Sequence, residues 1–103
     1  MSESRKLNAD QLQDALAKLP QWQLGDDGSA IAREYRFGDF MQAFAFMTEM
    51  AIWSEKQDHH PEWFNVYSRV KVTLTTHDAA GLTEKDLAWA RRADATFARD
   101  HSG

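Results

Sequence analysis

The sequence predicts an α+β fold in a single domain, with the order helix-strand-strand-helix-strand-strand-helix and a four-stranded antiparallel sheet carrying its helices on one face. Three observations predict it. Val70, Val72 and Leu74 alternate with Lys71, Thr73 and Thr75, the period of a half-buried strand. Three other segments space their apolar residues by three and four, the period of a helix. The strand segments come in adjacent pairs with a helix between the pairs, which favours hairpins over parallel crossovers. A chain of 103 residues fits one domain over 1–103.

The first helix is expected from Asn8 to Leu19, closed by Pro20. Leu7 and Leu12 flank Asn8 as a hydrophobic staple, and Gln11 occupies the capping-box position. Leu12, Leu16 and Leu19 form its stripe, with Ala15 beside them. Trp22 to Phe37 reads as a hairpin about Gly25-Asp26-Asp27-Gly28, a cluster of turn formers. Arg33 interrupts the apolar parity of Ile31, Tyr35 and Phe37.

Asp39 is the expected N-cap of a second helix over 39–57. Phe40, Phe44, Met47 and Ala51 form one stripe, and Phe46, Met50 and Trp53 another. Together they exceed the roughly 100° arc that a sheet-facing helix needs. Either this is the central core helix or part of it faces another subunit. Phe40, Phe44, Met47 and Met50 are expected in the core. The helix must stop before Pro61, because the residue before proline is pushed out of the α region. His60 is therefore expected to be extended.

Trp63 to Tyr67 and Val70 to Thr75 are the second strand pair. His77 continues the Lys71–Thr75 parity and should leave the sheet on its non-core face. After the loop Asp78–Gly81, Leu82, Thr83, Asp86 and Leu87 repeat the staple and capping box. The last helix carries Leu87, Ala90, Ala93 or Asp94, and Phe97. Residues 1–6 and 101–103 are expected to be flexible.

Composition removes several functions. With no cysteine there is no disulfide, thiolate nucleophile, thiolate zinc site or iron–sulfur cluster. Twelve basic against sixteen acidic residues, a net charge of −4, argue against direct nucleic-acid binding. No apolar run approaches the roughly 18 residues of a membrane span. The polar start Met1–Lys6 lacks a signal-peptide core. A cytoplasmic location is the expectation.

His59, His60 and His77 gather titratable chemistry in one stretch, with Glu55, Lys56, Asp58, Glu62, Trp63 and Asp86 around them. Histidine titrates near neutrality, at about 6.5, and suits proton transfer there. Adjacent histidines diverge on any regular element, so His59 and His60 converge only on irregular backbone, which Pro61 favours. Bland readings stand beside this one. His-His-Pro at a helix end is also a C-terminal cap. Three histidines also suit zinc, although the usual short-gap pairing is missing. Asp86 is accounted for by the capping box, Trp63 serves as core or as a stacking surface, and Lys85 and Arg91-Arg92 suit a solvated face.

The run Glu55-Lys56-Gln57-Asp58-His59-His60-Pro61-Glu62-Trp63-Phe64-Asn65-Val66-Tyr67 resembles the signature of the pterin-4a-carbinolamine dehydratases. That family is also known as the dimerization cofactor of a hepatocyte homeodomain transcription factor. The likeness continues through Val70–His77 and Gly81–Asp86, with Phe37–Phe40 and Ala43–Met47 upstream, over about residues 30–100. It implies dehydration of 4a-hydroxytetrahydrobiopterin to quinonoid dihydropterin and water. That reaction recycles the pterin of aromatic amino acid hydroxylases and uses no metal, redox cofactor or covalent nucleophile. By the resemblance, Asp58, His59, His60, Thr75, Thr76 and His77 contact the pterin. His60 and His77 are the expected acid/base pair, their order open, and His59 assists binding or the leaving hydroxyl. Glu55 and Asp86 would orient the imidazoles, and Trp63 would wall the bicycle. The resemblance also implies a homodimer or homotetramer. It leaves open a second role as a regulatory subunit for a transcription factor or a hydroxylase.

Overall fold

The computed structural model describes residues 5–101. It contains α1 (Ala9–Ala17), β1 (Gln23–Leu24), β2 (Ile31–Arg36), α2 (Phe40–Gln57), β3 (Glu62–Val66), β4 (Arg69–Leu74) and α3 (Glu84–His101). A single 3₁₀ turn, His77–Ala79, sits between β4 and α3. The four strands form one antiparallel sheet in the order β1-β2-β4-β3. This is the α+β order that the periodicities predict.

Local signals set the helix ends. Asn8 accepts from Gln11 N–H while the Gln11 side chain accepts from Asn8 N–H, a complete capping box. Asp39 accepts from Gln42 N–H at the start of α2. At its end Asp58 turns left-handed, with φ 52°, and His59 N–H reaches back to Ser54 O at 3.1 Å. That six-to-one bond is the Schellman closure. It turns the chain sharply just where the two histidines begin.

One core lies between sheet and helices. Ile31 and Tyr35 of β2 and Val70, Val72 and Leu74 of β4 are fully buried. They meet Ala43, Phe46 and Met50 of α2, and Leu87, Trp89, Ala90 and Ala93 of α3. Arg33, the polar residue on this face, is satisfied there. Its guanidinium lies 2.7 Å from Asp94 and 4.2 Å over the Tyr35 ring. Asp94 also accepts from Tyr35 Oη at 2.5 Å and from Trp22 Nε1 at 3.1 Å. This partly buried charge is tolerated because it is paired and hydrogen-bonded.

Two expectations about α2 need correction. Phe40 and Phe44 are not core: they are 45% and 56% exposed. The sheet-facing stripe is Ala43, Phe46, Met50 and Ser54, spaced by three and four. One stripe fills the available sheet surface, so the second points outward together with Met41 and Ile52. Met47 is partly buried against the core. The flexibility expected of residues 1–6 and 101–103 falls mainly outside the described residues. Leu7 N–H bonds Leu82 O at 2.8 Å. His101 ends α3, its ring 5.0 Å from Phe37 and 5.1 Å from Phe97.

Candidate active site

The end of α2, the start of β3, the exit of β4 and the first turn of α3 meet at one corner. His59 is turned inward by the Schellman closure and is buried. Its Nε2 lies 2.6 Å from Asp86 Oδ1. Asp86 is the N3 residue of α3 and has no exposed surface. Its Oδ2 accepts the Thr83 N–H at 2.9 Å and the Thr76 hydroxyl at 2.7 Å. Half of the expected capping box is present: Asp86 accepts the Thr83 N–H, whereas Thr83 Oγ1 accepts from Lys85 N–H and not from Asp86 N–H. The same carboxylate also holds the histidine. A carboxylate buried this deeply is affordable only with donors on both oxygens. No buried side-chain nitrogen or oxygen among the described residues lacks a partner.

His60 and His77 differ from His59 in exposure. His60 Nε2 lies 2.6 Å from Glu55 Oε2, with the imidazole 53% exposed. His77, 81% exposed, has Nε2 3.7 Å from Glu62 Oε2, an ion-pair distance rather than a hydrogen bond. Glu62 pairs with Thr73 across β3 and β4. This puts it on the non-core face, the one His77 reaches by parity. Sequence reasoning named Glu62 only as a neighbour. Its strand parity, opposite to Trp63, was the available signal.

Three imidazole–carboxylate pairs thus share one corner: His59–Asp86 inside, His60–Glu55 and His77–Glu62 at the surface. Chain connectivity joins them. His59 and His60 are consecutive, and Thr76, which bonds Asp86, precedes His77. Thr76 is fixed by a two-way backbone bridge to Gly81. The Thr75 hydroxyl is committed to Ser29 O at 2.6 Å. Trp63 is half-buried on the core side, edge-on to Trp89 at 6.1 Å. The Trp89 indole donates to Ser54 Oγ at 2.9 Å. Arg91 pairs with Glu84, while Arg92 stacks over Trp53 at 4.5 Å.

A cavity of about 510 Å³ opens between the end of α2 and the start of α3. Trp53, Gln57, Asp58, His59, Lys85 and Trp89 are among the residues lining it. Its volume suits a small heterocycle. Asp58 and His59 line this cavity, whereas His60 and His77 lie outside it. Among the described residues no group of three or more His, Cys, Asp or Glu is placed to hold a metal ion.

Residues 5–96 match the family model described as pterin 4 alpha carbinolamine dehydratase. The chain belongs to that family. A Novosphingobium aromaticivorans protein, provisionally named a pterin-4-alpha-carbinolamine dehydratase, is 62% identical over 76 residues, 74% of this chain and 79% of its own. A Rhizobium etli protein with the same provisional name is 52% identical over 96 residues, 93% and 95% of the two chains. Among solved structures, a transcriptional coactivator/pterin dehydratase from Brucella melitensis superposes with a TM-score of 0.86 at 47% identity. It covers 88% of this chain and 97% of that one. A pterin dehydratase-like protein identified as a RuBisCO assembly factor of the alpha-carboxysome is more distant. It has 28% identity and a TM-score of 0.64, over 73% of this chain and 87% of that one. One pterin dehydratase fold therefore carries more than one reported role, and the site must carry the functional argument.

Proposed function

We propose that this dehydratase-family protein converts 4a-hydroxytetrahydrobiopterin to quinonoid dihydropterin and water by histidine acid–base catalysis. The N5 lone pair forms the N5–C4a double bond as the C4a–O bond breaks. An acid delivers a proton to the departing hydroxyl, and a base removes the N5 proton. The step needs one proton donor and one acceptor near neutral pH, which imidazoles supply. The observation that carries the reading is the gathering of three imidazoles at one corner, each against its own carboxylate.

His60 and His77 are the acid/base pair in this reading, because both are open to solvent and so to a ligand. The buried His59, held by Asp86, assists binding or the leaving hydroxyl. Glu55 orients His60. Asp58 and the Thr75–Thr76 backbone contact the pterin, and Trp63 forms an apolar wall. The product returns to aromatic amino acid hydroxylases in the cytoplasm. A homodimer or homotetramer is proposed through the free edge of β3 and the outward stripe of α2. No helix among the described residues is long and apolar enough to cross a membrane.

Direct measurement of carbinolamine loss after phenylalanine hydroxylase turnover tests the reading. Acceleration by wild type and its loss in His77→Ala support it. No acceleration by the wild-type protein refutes it. A second reading, a regulatory subunit for a transcription factor or hydroxylase, draws on the exposed Phe40 and Phe44 and on the coactivator description of the Brucella structure.

A further inference from the structure

We infer that Thr76 and Thr83 are positioning residues whose hydroxyls form a one-way hydrogen-bond chain that locks Asp86 and, through it, the Nε2–H form of His59. The Thr76 hydroxyl is thereby given a role inside the protein, separate from the backbone contact to the pterin proposed above. The kinetic consequence rests on the proposed dehydratase function; the proton arrangement does not.

Direction follows from the obligate donors. Lys85 N–H can only donate, and it points to Thr83 Oγ1 at 3.2 Å. Thr83 N–H can only donate, and it points to Asp86 Oδ2 at 2.9 Å. Thr76 Oγ1 lies 2.7 Å from that same Oδ2 and 2.9 Å from Thr83 Oγ1. A hydroxyl carries one proton. With Thr76 donating to the carboxylate, its oxygen is left to accept, so Thr83 donates to Thr76. The order runs from Lys85 N–H to Thr83, to Thr76, to Asp86 Oδ2. Reversing the two hydroxyls requires a proton on Oδ2, where the Thr83 N–H already points.

Asp86 as the ionised carboxylate is part of this inference: it then faces His59 with Oδ1 as an acceptor at 2.6 Å. The histidine nitrogen there must donate. In the neutral ring, Nε2 holds the hydrogen and Nδ1 holds the lone pair. Burial makes the arrangement rigid. Asp86 is completely enclosed, Thr83 is 1% exposed and Thr76 7%. Water has little access to replace a missing donor. The Thr76–Gly81 backbone bridge fixes where the Thr76 hydroxyl stands.

The decisive measurement is ¹⁵N NMR of the histidine rings in the full-length protein, at pH values where His59 is neutral. A His59→Asn variant assigns the signals. Wild type should show Nε2 protonated and Nδ1 bare. Thr76→Val removes the hydroxyl with little change of shape; with one donor gone from Oδ2 the carboxylate is free to turn away from His59, and a second tautomer should appear. Thr76→Ser should restore the single form. A wild-type ring protonated at Nδ1, alone or together with Nε2 throughout, overturns the proposal whether or not any variant folds. So does a Thr76→Val spectrum identical to wild type. In the dehydration assay Thr76→Val should lower kcat by about tenfold to a hundredfold at unchanged KM. A raised KM at wild-type kcat would instead put Thr76 on the substrate and overturn its positioning role. A wild-type protein with the expected ring form but no dehydratase activity refutes the proposed reaction and leaves the hydrogen-bond chain standing.

Discussion

His59 Nε2 and Asp86 Oδ1 lie 2.6 Å apart, although 27 positions separate the two residues. The contact ties the coil after α2 to the first turn of α3. It therefore couples the last closure of one helix to the first cap of another. Loss of either partner leaves a polar group buried without its mate, the costly case in a protein interior.

Asp86→Asn should separate capping from catalysis. Asparagine keeps the shape but replaces one acceptor oxygen with an NH₂ donor. Either His59 must move its ring hydrogen to Nδ1 to accept from the new NH₂, or the Thr76 and Thr83 donors lose their acceptor. The expected stability loss is about 1–3 kcal/mol. Thermal unfolding should move down by several degrees for a chain of this size. The dehydration rate should fall as far as in the histidine variants. Lower stability with near-wild-type kcat would restrict Asp86 to its structural role.

His60→Ala and His77→Ala should each reduce dehydration by about 10²-fold or more. Both imidazoles are exposed, so far-ultraviolet circular dichroism and the melting curve should stay at wild type. Full activity in either variant removes that histidine from the acid/base pair.

Alkaline pH should unfold the protein through Tyr35. Burial, followed by the Asp94 hydrogen bond and charge, raises its phenol well above the ordinary tyrosine range. The unfolded chain ionises tyrosine near pH 10, about where model peptides do. Above that pH the folded state holds a proton the unfolded state has released, so stability is full below about pH 10 and falls as pH rises. With Tyr67→Phe, Tyr35 is the one tyrosine left, since the chain has two. Its phenolate absorbance should appear only as circular dichroism is lost. Phenolate forming in the folded protein contradicts the prediction, as does an unchanged alkaline slope in Tyr35→Phe.

The outward stripe of α2 should report on assembly. Phe40→Glu with Phe44→Glu places charge on two exposed rings that stack at 5.6 Å. Sedimentation equilibrium should show a smaller assembly than wild type, with helix content kept. An unchanged oligomer mass means this face is not the helix-to-helix contact, and a monomeric wild type removes the proposed assembly altogether.

What the sequence alone determined is what neighbouring residues enforce on one another. Asn8 with Gln11 and Thr83 with Asp86 fix helix starts within four residues. Pro61 sets a limit that α2 cannot pass, and the Val70–Leu74 alternation sets the faces of β4. The same locality made the histidine cluster legible, because His59 and His60 are consecutive. Tertiary structure decided everything that depends on which distant group arrives. Arg33 looked like an interruption until Asp94 met it from 61 residues away. Trp89, off the predicted stripe, is buried because Ser54 of α2 receives its N–H. Phe40 and Phe44 have the same apolar chemistry as Phe46, and only the packing of α2 on the sheet selected which ring to bury. At the site, the motif supplied three imidazoles, but their burial, their carboxylates and the direction of the Thr76 hydroxyl depend on chain segments that folding alone brings together.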